Sequence, residues 1–159
     1  MKAKDLFTQA QIEAVESAIK AAEVATSGEL RLYLEDNCKE ELMDRAAFLF
    51  DKLNMHKTEK RNGVLIYMAV EDQRFAIIGD AGINSVVEPD FWDSIKDEML
   101  QSFKKNEFER GLIAGITASG KALAKHFPYD RMMDNNELSD DIIISWGIES
   151  LFFFLLDYA

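Results

Sequence analysis

The chain has 159 residues, 48% of them apolar and 30% charged, a balance that sustains one buried core and argues against disorder. Its 29 acidic against 18 basic residues leave a net charge of −11, which repels nucleic acid and anionic lipid headgroups and excludes both as expected partners. Cys38 is the single cysteine, so no intrachain disulfide or cysteine-built zinc site can form, which fits a reducing, cytoplasmic setting.

The N-terminal stretch MKAKDLFTQAQIEAVESAIK is amphipathic and has no apolar leader core, so the mature protein is expected to begin here. Thr8 and Gln11 have the spacing of a capping box. Ile12, Val15, Ile19 and Ala22 then recur on one face of the helix that follows. Ser27-Gly28 stops that helix, and the alternation of Leu30, Leu32 and Leu34 predicts a strand over 30–35 with one better-buried face. Helical spacing returns from Glu40 to Leu53, with Met43, Ala46, Ala47, Phe50 and Leu53 as the apolar stripe.

Arg61-Asn62-Gly63 leads into VLIYMAV, a near-continuous apolar run typical of a strand covered on both faces, over 63–70. Glu71-Asp72-Gln73 separates it from RFAIIG, 74–79, and these two runs are expected to pair as an antiparallel hairpin. A helix joins the first strand to the second, which favours a parallel crossover. Pro89-Asp90 announces another helix, with Asp90 as its cap and Phe91 or Trp92, Ile95, Met99 and Phe103 as its stripe. From Glu107 to His126 a last helix buries Leu112, Ile116, Leu123 and Phe127. Its Gly111, Gly115 and Gly120 cost about 1 kcal/mol each relative to alanine unless the backbone packs closely on a neighbour. The order αβαββαα predicts an α/β fold, a small mixed β-sheet flanked by helices, with no internal linker.

If the first two strands are parallel and the third reverses, Thr26–Glu29, Lys60–Gly63 and Gly79–Gly82 meet at one edge of the sheet. Glu29, Asp80, Asn62 and Arg61 then come within side-chain reach of one another. Gly79 and Gly82 permit positive φ and close backbone approach, which suits a tight turn and an ion site alike. Asp80 has three readings: an ion pair with Arg61 that fastens two loops, a ligand to a hard cation such as Ca²⁺, or a nucleophile, which needs a basic or metal partner.

Other motifs carry less. GITASGKA has Ala122 where a phosphate-binding loop needs a hydroxyl, and no strand precedes it. His56 and His126 lack zinc-ligand spacing with each other and with Cys38, and structural roles are expected for both. No nucleophile elbow G-x-S-x-G occurs. The segment HFPYDRMMDNNELSDD leaves the last helix with Asp130, Asp134, Glu137, Asp140, Asp141 and two asparagines, a concentration of hard oxygen donors.

SGELRLYL, RNGVLIYMA, FAIIGDAGI, the Phe91-Trp92 pair, GLIAGI with its following glycine, and HFP…NELSD run from about Thr8 to Asp141. Together they resemble the TPM domain family. The resemblance implies a three-layer αβα sandwich, binding of a divalent cation, Ca or Mg, through acidic loops, and phosphatase activity in some members. It implies Asp80 of GDAG, Glu29 of SGEL, and Glu137 and Asp140 of NELSD as metal ligands. Arg61, Asn62, Gly79 and Gly82 are the expected loop supports. Ser139 stands where close relatives are expected to carry proline, which leaves that segment less rigid.

On this reading residues 1–141 form the TPM-like domain and 142–159 an apolar extension. The extension, IIISWGIESLFFFLLDYA, is interrupted by Gly147 and Glu149 and falls short of the roughly 20 residues that span a bilayer, so membrane association is not expected. It packs on its own domain, on a protein partner or on a second copy. The expected function is a binding module that holds a divalent cation and contacts another protein. The alternative is a metal-assisted acid phosphatase acting on phosphomonoesters, with a cation near Asp80 polarising the phosphoryl oxygens and Arg61 offsetting charge.

Overall fold

The computed structural model describes residues 2–129 and 142–144. Helix α1, Gln9–Glu23, opens on the capping box: Thr8 Oγ1 accepts from the Gln11 N–H at 3.2 Å and Gln11 Oε1 from the Thr8 N–H at 2.9 Å. Strand β1, Glu29–Glu35, follows, then helix α2, Leu42–Lys52, which carries the chain across to β2, Gly63–Ala69. β1 and β2 are parallel, Glu29 opposite Gly63 and Glu35 opposite Ala69. β3, Arg74–Gly79, returns antiparallel, with Gly79 opposite Val64. A short β4, Ile143–Ile144, lies parallel to β1 beside Tyr33 and Leu34, giving the order β3-β2-β1-β4.

The period of two along each strand divides its side chains between two cores. Leu30, Leu32, Leu34, Val64, Ile66 and Met68 face α1, helix α4 (Phe91–Phe103) and helix α5 (Phe108–His126), whose Val15, Ile19, Ile95, Met99, Leu112, Ile116 and Leu123 cover them. Tyr33, Leu65, Tyr67, Ala69 and Ala76 face the other way, against Ala46, Leu49 and Phe50 of α2. The small mixed sheet flanked by helices that the element order predicts is therefore present, in the three-layer αβα arrangement the resemblance implies. The glycines of α5 act as close-contact points: a Cβ on Gly111 or Gly115 would run into Phe103 or Met99 of α4, and one on Gly120 into Ala22 of α1.

Several local expectations are corrected. The stripe of α2 is Ala46, Leu49 and Phe50, and both Met43 and Ala47 are exposed; an eleven-residue helix allows two phases, and only one faces β2 and β3. Asp90 stands at the N-cap of α4 but its side chain makes no capping bond. β1 is buried on both faces, with Glu29 and Arg31 only 3% and 1% exposed and both engaged in interactions. A further four-residue helix, α3 (Ala81–Asn84), intervenes directly after β3. No helix among the described residues is long and apolar enough to cross a membrane.

Candidate functional site

The strand directions bring the three glycine-containing loops to one edge, and backbone hydrogen bonds stitch them there. The Glu29 N–H donates to the Asn62 carbonyl at 3.3 Å and the Asp80 N–H to the Gly63 carbonyl at 2.9 Å. The Gly82 N–H reaches the Arg61 carbonyl at 2.8 Å, and Asn62 Nδ2 donates to Ser27 Oγ at 3.2 Å. Thr26 secures the first loop to the end of α5, its hydroxyl donating to the carbonyls of Leu123 and Phe127.

Glu29, Gly63 and Asp80 occupy one row across three strands. Gly63 is opposite Glu29 in the parallel register, and Asp80 follows Gly79, the partner of Val64, in the antiparallel one. Their Cα atoms therefore share a face, the two acidic residues separated by two strand spacings, about 10 Å. The glycine between them has a specific use. A Cβ on Gly63 would lie 2.7 Å from the Met55 carbonyl oxygen, so its absence lets a backbone carbonyl descend onto the middle of the row. That carbonyl belongs to a 3-10 turn, Met55–Lys57. The sequence reading missed it, although a glycine opening an otherwise all-apolar strand was the signal available.

The row thus places the acidic residues Glu29 and Asp80 on either side of a glycine against which the Met55 carbonyl sits. Asn62, 1% exposed, has a buried amide oxygen at the same junction that accepts no hydrogen bond among the described residues. Among the described residues no three His, Cys, Asp or Glu side chains gather into a metal-binding group. Glu137 and Asp140 lie outside the described residues.

Asp80 is already engaged. Arg61 grips it with both arms, Nε to Oδ2 at 2.7 Å and Nη2 to Oδ1 at 2.8 Å, while Oδ1 also accepts from the Ala81 N–H at 2.7 Å and caps α3. Burial pushes the Asp80 carboxyl up. The Arg61 hydrogen bonds, the Ala81 N–H, the Arg61 charge and a smaller contribution from His56 outweigh that and hold it below the usual carboxylate range. The Asp80 side chain is 6% exposed and that of Arg61 52%, so the pair has one fixed, buried member and one reaching into water.

The glycines flanking Asp80 serve close approach rather than positive φ. A Cβ on Gly79 would lie 2.5 Å from the Trp92 ring, and one on Gly82 only 2.0 Å from the Lys60 carbonyl oxygen. The left-handed residue of the junction is Arg61 itself, at φ 51°, a conformation that costs a non-glycine residue free energy and concentrates at functional sites. Trp92 braces the turn from outside: its Nε1 donates to Asn84 Oδ1 at 2.7 Å, and Asn84 Nδ2 donates to the Gly79 carbonyl at 2.7 Å.

A second polar cluster sits at the opposite end of the sheet. Glu35 accepts a two-armed Arg45 pair at 2.9 and 3.0 Å and the Tyr67 hydroxyl at 2.7 Å. Burial works against the Arg45 charge, but the Glu35 carboxylate outweighs it and holds the guanidinium firmly protonated; burial and Glu35 together push the Tyr67 hydroxyl up. These groups satisfy one another beneath α2 and fasten its start to β1.

A family model described as the TPM domain matches residues 1–122 of this chain. Among solved structures, the BA42 protein of the psychrophilic bacterium Bizionia argentinensis is 43% identical with a TM-score of 0.83, the match covering 91% of this chain and 99% of that one. The N-terminal domain of a P. gingivalis protein (23% identity, TM-score 0.64, 80% and 84% covered) shares the fold. So does that of cg2496 from Corynebacterium glutamicum (10% identity, TM-score 0.59, 74% of each chain covered). No curated protein matches.

Proposed function

The chain belongs to the TPM domain family, and we propose that it acts within it as a binding module that takes up a divalent cation, Ca or Mg, at the edge where its three loops converge. One observation carries this reading: Glu29 and Asp80 share a cross-strand row whose central residue is a glycine, with the Met55 carbonyl seated over it. Asp80, Glu29 and that carbonyl would hold the ion, with Glu137 and Asp140, assigned by family resemblance, completing the oxygen shell. A bound cation would supply two positive charges at the joint of three loops and tighten the contact between strands and turns.

The protein partner is assigned to the apolar extension, residues 142–159, in another chain or a second copy. Calorimetric titration of CaCl₂ into the full chain tests the cation site. Asp80→Asn is expected to weaken binding by about tenfold or more, since it removes a charged ligand. An identical isotherm for the variant would remove Asp80 from the site.

A metal-assisted phosphomonoesterase is the second reading, favoured by the exposed Lys57, Lys60 and Arg61 around the same junction. There the cation would polarise the phosphoryl oxygens, and these side chains would offset charge on the transferred group. Turnover of p-nitrophenyl phosphate that ignores both added metal and Asp80→Asn would discard it.

A further inference from the structure

We propose that Asn62–Gly63 is a deamidation site that the folded edge keeps silent, so that the Asn62 amide is lost only when the three loops come apart. The proposal is independent of the cation reading. Asparagine followed by glycine is the dipeptide in which the main chain attacks its own side chain most readily, because no Cβ hinders the glycine nitrogen. Asn62 is followed by Gly63, and no other asparagine of the chain precedes a glycine.

In the first step the Gly63 nitrogen bonds to Asn62 Cγ and gives up its proton, the Cγ–Nδ2 bond breaks, and the side-chain nitrogen leaves as ammonia. Water then opens the five-membered imide on either side, leaving aspartate or isoaspartate. The net change is one water consumed and one ammonia released.

The folded junction opposes the first step in three ways. Backbone and side chain are pinned: the Asn62 N–H donates to Thr58 Oγ1 at 3.1 Å, its carbonyl accepts from the Glu29 N–H at 3.3 Å, and the Gly63 carbonyl accepts from the Asp80 N–H at 2.9 Å. Asn62 Nδ2 is held on Ser27 Oγ at 3.2 Å. Bringing the Gly63 nitrogen onto Cγ turns both the peptide plane and the side chain, and breaks these bonds. Negative charge also develops on Oδ1 during the attack, and that oxygen accepts no hydrogen bond in a residue only 1% exposed, so neither a protein donor nor bulk water stabilises it. Gly63 is itself buried, which keeps hydroxide from the N–H that must lose its proton.

The products do not fit the fold. Aspartate places an ionised carboxylate where the side chain is shut off from water. Isoaspartate routes the main chain through the former side chain and adds one backbone atom between the contacts to Glu29 and Asp80. Deamidation of an opened chain therefore blocks its return to the closed edge.

The full chain is incubated in mildly alkaline buffer, folded and in concentrated urea, and the peptide containing residue 62 is followed by mass spectrometry for the exchange of NH for O. Asn62 is expected to react at least about a hundredfold more slowly in the folded chain, where opening of the edge limits the rate. Ser27→Ala removes the acceptor of Nδ2 and leaves Asn62–Gly63 intact. It is expected to raise the folded rate about fivefold and to leave the rate in urea unchanged. Modified chains, separated by their added negative charge and returned to buffer, are expected to melt at a lower temperature than unmodified ones.

A smaller ratio between the two rates would overturn the shielding, and an Asn62 that stays intact in urea would overturn the site itself. A folded rate that Ser27→Ala leaves unchanged removes the loop junction as the shield, and modified chains that melt like unmodified ones remove the damage. Should Ser27→Ala lose its cooperative thermal transition, the wild-type rates in buffer and in urea decide alone.

Discussion

Replacing Gly82 with alanine separates two physical effects of opposite sign. Gly82 is the second residue of α3, where helix propensity alone makes alanine about 1 kcal/mol better than glycine. The junction says otherwise. The new Cβ would lie 2.0 Å from the Lys60 carbonyl oxygen and 2.6 Å from that of Arg61, and both are backbone atoms of a loop already held by hydrogen bonds. Relief requires moving α3 away, which costs about 1–3 kcal/mol for overpacking and about 1 kcal/mol for the Gly82 N–H to Arg61 carbonyl bond.

The net expectation is a loss of about 2 kcal/mol. With a urea dependence of about 2 kcal/mol per molar, the unfolding midpoint falls by about 1 M. Gly115→Ala is the internal control: its Cβ would meet the Met99 sulfur at 2.5 Å, the movable part of a flexible side chain. It is expected to cost less than half as much. A Gly82→Ala protein as stable as wild type, or more stable, would refute the claim that the two loops are in backbone contact.

Further predictions concern the ion pairs. Asp80 titrates below its unfolded value of about 4, so its pair with Arg61 contributes fully above that pH and is lost as pH falls through the lower folded value. Asp80→Asn is accordingly expected to be less stable than wild type at pH 7 and to converge with it in urea titrations as the pH falls through the lowered folded value. A gap that persists in acid would mean that the carboxylate charge is not what stabilises the turn. Arg45→Ala, which strips Glu35 of its two-armed partner in a largely buried setting, is expected to cost about 2 kcal/mol, with Tyr67→Phe costing about half of that. Equal and negligible losses in thermal melts would show that the cluster is solvated.

Much of the frame was legible because each local signal agreed with its neighbours. Thr8 and Gln11 capped a helix whose apolar period began at once, and a helix between two apolar runs specified parallel strands. From those directions alone the three loops had to share an edge, and the Arg61–Asp80 ion pair was among the open readings. What escaped has a physical reason in each case. The phase of α2 was ambiguous because Met43 and Ala47 fit the helical period as well as Leu49 does, and only the position of the sheet decides between them. The strand over 30–35 read as having one better-buried face, yet its other face is buried too, Arg31 included. The Met55 carbonyl could not be read at all, since a backbone oxygen has no sequence signature; Gly63, the residue that admits it, was the sole trace. The left-handed residue was sought among the glycines and is Arg61.

The central claim is spatial: a hard cation engages the edge where Glu29, Gly63 and Asp80 line up. Backbone amide NMR of the full chain during a Ca²⁺ titration tests it directly, with Na⁺ at equal ionic strength as reference. The account predicts saturable shifts concentrated at residues 27–29, 55–63 and 79–84, with the far end of the sheet, residues 35–38 and 70–73, unmoved. Saturable shifts confined to that far end, or none that distinguish Ca²⁺ from Na⁺, would contradict it.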